Sequence, residues 1–259
     1  GDSRLPIPDV AVEALREAAG DPALQGYAFQ RGLPAHRESI AGWMGRRCGE
    51  SLDPWTEVLP VIGSKEAIAL TAFALLDPGD TVLIPDPGYA PYFEGVLFAG
   101  GREIGLEFHS FSKTYNMTGW RLGWVAGNAR LIADLRRVKT FFDTGSYLGI
   151  QAAGAAVLAE ADRFIERTVT ALRDRRDAAV QAFRGAGFEL EAPLATLYLW
   201  LEVPGGDSAR WCRELLEREA LVLMPGAALG SGGEGFARAP LTVSPERYAE
   251  VAARLTATA

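Results

Sequence analysis

Cysteine is nearly absent from this chain. Its 259 residues hold only Cys48 and Cys212, far apart and without histidine neighbours, which indicates neither a disulfide framework nor a zinc site. There is no Lys/Arg-rich block, and a net charge of −7 argues against a nucleic-acid surface. No apolar run approaches the length of a membrane span, and the first residues lack the charged-then-apolar pattern of a secretory signal. The default expectation is therefore a cytoplasmic protein with no membrane partner. Internal repeats and low-complexity tracts are also missing. What remains is 48% hydrophobic and 23% charged, an ordinary globular composition sufficient for one large domain or two smaller ones.

Against that plain background one run stands out, His109-Ser110-Phe111-Ser112-Lys113-Thr114-Tyr115-Asn116-Met117-Thr118-Gly119-Trp120-Arg121-Leu122-Gly123-Trp124. A lysine is a nucleophile toward carbonyl carbon when its surroundings favour the free amine. Two hydroxyls just before Lys113, with Arg121 following it, suit an anionic group such as a phosphate. The competing explanation is a capped turn whose cations are simply solvated, and a lone Ser-x-Ser-Lys would favour that.

Along the chain, Asp9 caps a first helix with Val12, Leu15 and Ala19 on one face, ending at Gly20. A loop from Gln25 to Arg37 leads into a helix through Met44. The apolar run Glu57–Ile62 ends in Gly63-Ser64-Lys65-Glu66-Ala67, after which a helical pattern continues to Leu76. A strand, a glycine turn and a helix start together offer free backbone N–H groups to an anion; Ser64 is equally suited to capping the helix. The turn 77–80 precedes a strand over 81–84 and a proline-stiffened loop over 85–92. Residues 100–106 read as a further strand, and Glu107-Phe108-His109 begins the strand into the lysine run. Helices are expected over 129–140, 148–158 and 161–186, the last with a mixed-charge, solvated face. Strands over 196–201, 221–223 and 236–243, with helices over 208–219 and from Ser244-Pro245 onward, form an α+β region.

The run Ser110 to Trp124 resembles the lysine segment of the class I/II aminotransferases, which use pyridoxal 5′-phosphate (PLP). That resemblance implies a fold-type I PLP enzyme of α/β class: a mainly parallel large-domain sheet flanked by helices, plus a small α+β C-terminal domain. The expected division is residues 21–160 for the large domain and 1–20 with 161–259 for the small one. It implies that Lys113 holds the cofactor's aldehyde and then serves as the general base. Ser64, Lys65, Ser110 and Arg121 would hold its phosphate, with Tyr27 reaching the partner subunit's cofactor across a homodimer. Tyr89 would stack on the pyridine ring, with Tyr92 as competitor. Arg238, in the run Gly235 to Leu241, would bind the substrate α-carboxylate; an edge-strand arginine in a surface ion pair is the alternative. The implied reaction moves an amino group between an amino acid and a 2-oxo acid such as 2-oxoglutarate, with aspartate, diaminopimelate or N-succinyldiaminopimelate as donor. Another fold-type I PLP reaction (a β-lyase or synthase), a PLP-binding regulatory module and a catalytically dead shortened relative are the other readings.

The chain also departs from that pattern. The family places further βα units before its lysine strand, carrying an Asn-Pro-x-Gly turn, an aspartate for the pyridine nitrogen and a tyrosine near O3′. No Asn-Pro pair occurs anywhere in this sequence. The expectation is a segment missing near Leu106/Glu107, either omitted, with a chain break there, or truly deleted.

Overall fold

The computed structural model describes residues 4–76, 88 and 106–256. The strand expected over 81–84, Tyr89 and Tyr92 lie outside those residues. By packing, the chain divides into two units: residues 5–84 with 91–166, and 1–4 with 85–90 and 167–259.

In the larger unit, helix α1 (Asp9–Gly20) buries Ala11 and Ala18. It packs against α6 (Leu148–Ala159), which buries Gly149, Ala153 and Gly154. Residues 9–20 therefore belong to the larger unit and not, as expected from the sequence, to the small domain. The division falls at 166/167 because Ala161, Phe164 and Ile165 are drawn into the same core as α1 and α6. Helix α2 (Pro34–Cys48) begins with Pro at its first turn, where a missing N–H costs nothing, and ends at Gly49 in the left-handed conformation.

The sheet of this unit has the order β1-β3-β2, formed by β1 (Val58–Val61), β2 (Leu106–Ser110) and β3 (Gly123–Gly127). Both outer strands pair antiparallel with β3, so they run in the same direction as each other. The expectation of a mainly parallel sheet is thus met among the described strands only by the common direction of β1 and β2, with an antiparallel strand between them. Register aligns the strand ends: Val61 and Ser110, the last residues of β1 and β2, both lie opposite Gly123. The two connections that leave these strands start side by side. Helices α3 (Ser64–Leu75) and α5 (Ala129–Lys139) cover the sheet, burying Ala67, Leu70, Ile132 and Leu135 against Leu59, Val61 and Val125. Each large apolar side chain of this kind contributes about 1.5–3 kcal/mol when fully removed from water.

Strand β2 pairs with β3 residue by residue from Leu106↔Gly127 to Ser110↔Gly123.

The second unit contains most of α7 (Ala161–Gly185), then β4 (Tyr198–Glu202), α8 (Ser208–Glu219), β5 (Met224–Pro225), β6 (Phe236–Pro240) and α9 (Pro245–Thr256). Its antiparallel sheet has the order β4-β6-β5. Phe183, Leu199, Leu201, Leu215, Tyr248 and Leu255 form its core. The α+β character read from the sequence is what is observed.

Candidate active site

The lysine run folds as strand, one helical turn (α4, Phe111–Thr114), a 3₁₀ turn at Thr118–Trp120, then β3. Ser110 ends β2 and caps the turn, its Oγ accepting from Ser112 N–H at 3.1 Å. Phe111, Tyr115, Met117 and Leu122 are buried and pin the run from below. Asn116 and Arg121 take left-handed φ values of 58° and 52°, so the chain reverses twice within a few residues. This leaves Lys113 half-buried, on a turn whose Phe111 and Ser112 are sealed into the core.

The sequence holds three lysines, and the structure separates them sharply. Lys139 is completely buried and ion-paired to Glu66 and Asp143. Lys65 is exposed at the second position of α3. Lys113 alone combines partial burial with a place beside the hydroxyls and arginine of its own run.

The glycine turn after β1 lies against the same run. Gly63, at φ 86°, is the N-cap of α3, and Ser64 is its first residue. Ser64 is therefore not the cap. The Arg121 guanidinium reaches over this turn: Nη1 donates to Ser112 Oγ at 3.4 Å and to Thr118 O at 3.0 Å, and Nη2 donates to Ile62 O at 3.4 Å. A Cβ added to Gly63 would lie 2.5 Å from Arg121 Nη2, and one added to Gly123 would lie 2.5 Å from His109 O and 3.1 Å from Ser64 N. Both glycines are needed for this close approach. The result is a small cradle of a helix N-terminus, a serine hydroxyl and a guanidinium, the donor set that holds a phosphate dianion. PLP's phosphate fits this end.

Ser112 is the residue that sequence reasoning undervalued. It is 8% exposed and holds Arg121, whereas Ser110 is occupied as a cap. The only signal was its place beside the lysine. Tyr27 is 70% exposed and packs on exposed Phe29 with ring centroids 5.4 Å apart. Among the described residues, no hydrogen bond or ring contact joins it to the Lys113 cluster within one chain. Its loop is anchored by buried Arg37, which donates to the carbonyls of Gln30, Arg31, Pro54 and Val58. Burial, and then the neighbouring Arg136 charge, lower the Arg37 guanidinium to about 10.

In the second unit, Arg238 sits in the central strand β6 and not at an edge. Its guanidinium lies 4.2 Å from the Tyr198 ring centroid and Nη2 is 3.1 Å from Met224 Sδ. Among the described residues no carboxylate pairs with it, so the surface-pair alternative falls. Tyr89 lies outside the described residues.

The sequence model of the family described as aminotransferase class I and II matches residues 1–107 and 98–255. The chain belongs to the class I and II aminotransferases. As a member it is a PLP-dependent enzyme that transfers amino groups between amino acids and 2-oxo acids. It is 32% identical to the LL-diaminopimelate aminotransferase of Desulforudis audaxviator, over 98% of this chain and 88% of the relative. It is 34% identical to that of Dehalococcoides mccartyi, over 98% and 89%. Among solved structures, a probable N-succinyldiaminopimelate aminotransferase from Thermus thermophilus superposes with a TM-score of 0.91 at 26% identity, covering 100% of this chain and 93% of that one. BacF of Bacillus subtilis superposes with the same TM-score at 25% identity, again over 100% and 93%. The aminotransferase thus has the fold-type I architecture.

The departure from the family is equally definite. The match to the Desulforudis relative runs over 344 residues whereas the chain has 259, so at least 85 positions of that relative have no counterpart here. The family model matches as two pieces that meet at residues 98–107, where the missing segment was expected.

Proposed function

We propose that this aminotransferase takes an amino donor of the diaminopimelate type, with a 2-oxo acid such as 2-oxoglutarate as acceptor, and that it works as a homodimer in the cytoplasm. The names of the related enzymes support the donor class. The observation that carries the site assignment is the convergence of the Gly63–Ser64 turn and Arg121 on the lysine run.

In this reading Ser64, Ser110, Ser112 and Arg121 border the cofactor phosphate, with the α3 N-terminus including the Lys65 N–H. Bound PLP supplies the electron sink that makes the substrate Cα–H acidic and stores the amino group. Lys113 Nζ holds the cofactor's aldehyde and moves the proton at the substrate Cα. Arg238 presents a planar fork to the substrate α-carboxylate, and Tyr89 is assigned the ring stack. The exposed aromatics Tyr27, Phe29, Phe73, Phe141 and Phe142 support a dimer face, because side chains of this kind are enriched where surfaces associate, and Tyr27 is assigned to the partner's phosphate. No helix among the described residues is long and apolar enough to cross a membrane.

The test is a donor screen with 2-oxoglutarate, read as glutamate formed. Diaminopimelate and its N-succinyl derivative are expected to lead, and Lys113→Ala is expected to lose activity by at least about 10²-fold together with the covalent fixation of PLP to the chain by borohydride. Fixation of PLP to the chain in Lys113→Ala refutes the lysine assignment, and transfer from neither donor refutes the substrate class.

A further inference from the structure

Lys139 has no part in the chemistry above, yet it is the one lysine with no exposed surface. Its Nζ donates to Glu66 Oε1 at 2.6 Å and to Asp143 Oδ2. The far oxygens of the two carboxylates lead in opposite directions. Glu66 Oε2 accepts from Ile62 N–H at 2.9 Å, and the Ile62 carbonyl is in turn held by Arg121 at 3.4 Å. The residue just before the Gly63–Ser64 turn is therefore gripped at both its N–H and its C=O. Asp143 Oδ1 accepts from Gly145 N–H at 2.6 Å and from Gln30 Nε2 at 3.0 Å. Gln30 also donates to Asp143 O at 2.8 Å, while its own carbonyl accepts from Arg37 at 2.7 Å. Gln30, at φ 61°, lies in the loop that carries Tyr27.

We propose that Lys139 is a positioning residue. Through Glu66 and Asp143 it couples the phosphate-holding turn to the Tyr27 loop, so that filling the turn orders the loop.

A stability role alone is a weaker account. Taking three charged groups out of water is costly, and an apolar side chain of lysine's size fills the space without that cost. What the cluster adds is direction, since each carboxylate oxygen has its own donors. Burial raises the Glu66 carboxyl above its usual range, against the pull of Lys139. Burial also pushes Asp143 up, but hydrogen bonds from Lys139, Gln30, the Glu66 carboxyl and the Gly145 N–H outweigh it and hold Asp143 below that range. The inference rests on the PLP reading of the turn.

The experiment uses the full chain and PLP, with phosphate-free pyridoxal as control, and follows amide hydrogen exchange over residues 28–32 and 62–66. In the wild type PLP is expected to slow exchange in both segments. Lys139→Met is expected to weaken PLP by at least about tenfold while pyridoxal changes by less than about twofold, and to abolish the PLP-dependent slowing at 28–32. Gln30→Ala cuts only the loop end of the relay and serves where Lys139→Met does not fold; it should keep the slowing at 62–66 and lose it at 28–32. Equal slowing at 28–32 in wild type and in the folded variants overturns the relay alone. A wild type that binds no PLP overturns both the relay and the reading beneath it.

Discussion

At the scale of single residues, the site depends on side chains that are absent as much as on those present. Gly63 takes φ 86° and faces Arg121 Nη2 where a Cβ would stand. With ψ at 154° this is a region open essentially to glycine alone, so an L-residue there incurs on the order of 1–3 kcal/mol of backbone strain and must also displace the guanidinium. Gly63→Ala is therefore expected to lower both stability and PLP affinity. Urea unfolding and absorbance titration measure the two, and a variant with unchanged PLP affinity would show that the turn does not hold the phosphate. The sequence placed Gly63, Ser64 and Arg121 as candidates through local patterns. It pointed to Ser110 rather than Ser112, and only the folded turn shows Ser110 Oγ accepting from the Ser112 N–H while Ser112 Oγ meets Arg121.

At the scale of elements, helices α2 and α6 meet around His36. The imidazole is fully buried against Phe111, with centroids 5.8 Å apart, and both ring nitrogens lack a partner. Burial first, and the adjacent Arg37 charge second, lower it to about 3. The folded state thus binds this proton less readily than the unfolded chain, whose value is 6.5. Its contribution is complete above 6.5 and is lost as pH falls toward 3, by about 1.4 kcal/mol per pH unit at the limiting slope. Urea unfolding between pH 6.5 and 5, where most carboxylates stay ionised, should show stability falling with pH in the wild type and a flatter profile in His36→Leu. Parallel profiles would mean that His36 titrates as in the unfolded chain. Helix periodicity made these elements legible, and their ends moved by a few residues. Which faces they bury against one another was not legible: α6 packs against both α1 and α2, with Gly154 against the His36 ring, pairings no local pattern announces.

At the scale of the whole molecule, the dimer proposal makes each phosphate site depend on two chains. Tyr27 is exposed, and among the described residues its ring packs on Phe29 of its own loop, which leaves it available to act in trans. Co-expressed Lys113→Ala and Tyr27→Ala chains are expected to form hybrid dimers in which one site is built from the two intact contributions. Roughly a quarter of the wild-type activity should return on random pairing through a closed two-fold interface, although each variant alone is nearly inactive. If mixing restores nothing while size-exclusion shows dimers, Tyr27 does not act across the interface.

The sequence by itself determined the family and the chemistry, because the lysine run and the glycine turn carry their meaning in short-range spacing and backbone conformation. Their placement was a tertiary decision. Strand β3 had to insert antiparallel between β1 and β2, bringing Val61 and Ser110 opposite Gly123, before two runs far apart in the chain could share one anion. The fates of the lysines were decided in the same way. Burial and long-range partners made Lys139 an internal ion pair and left Lys113 at the open turn, since exposure is a property of the packed chain and not of the residues next to it.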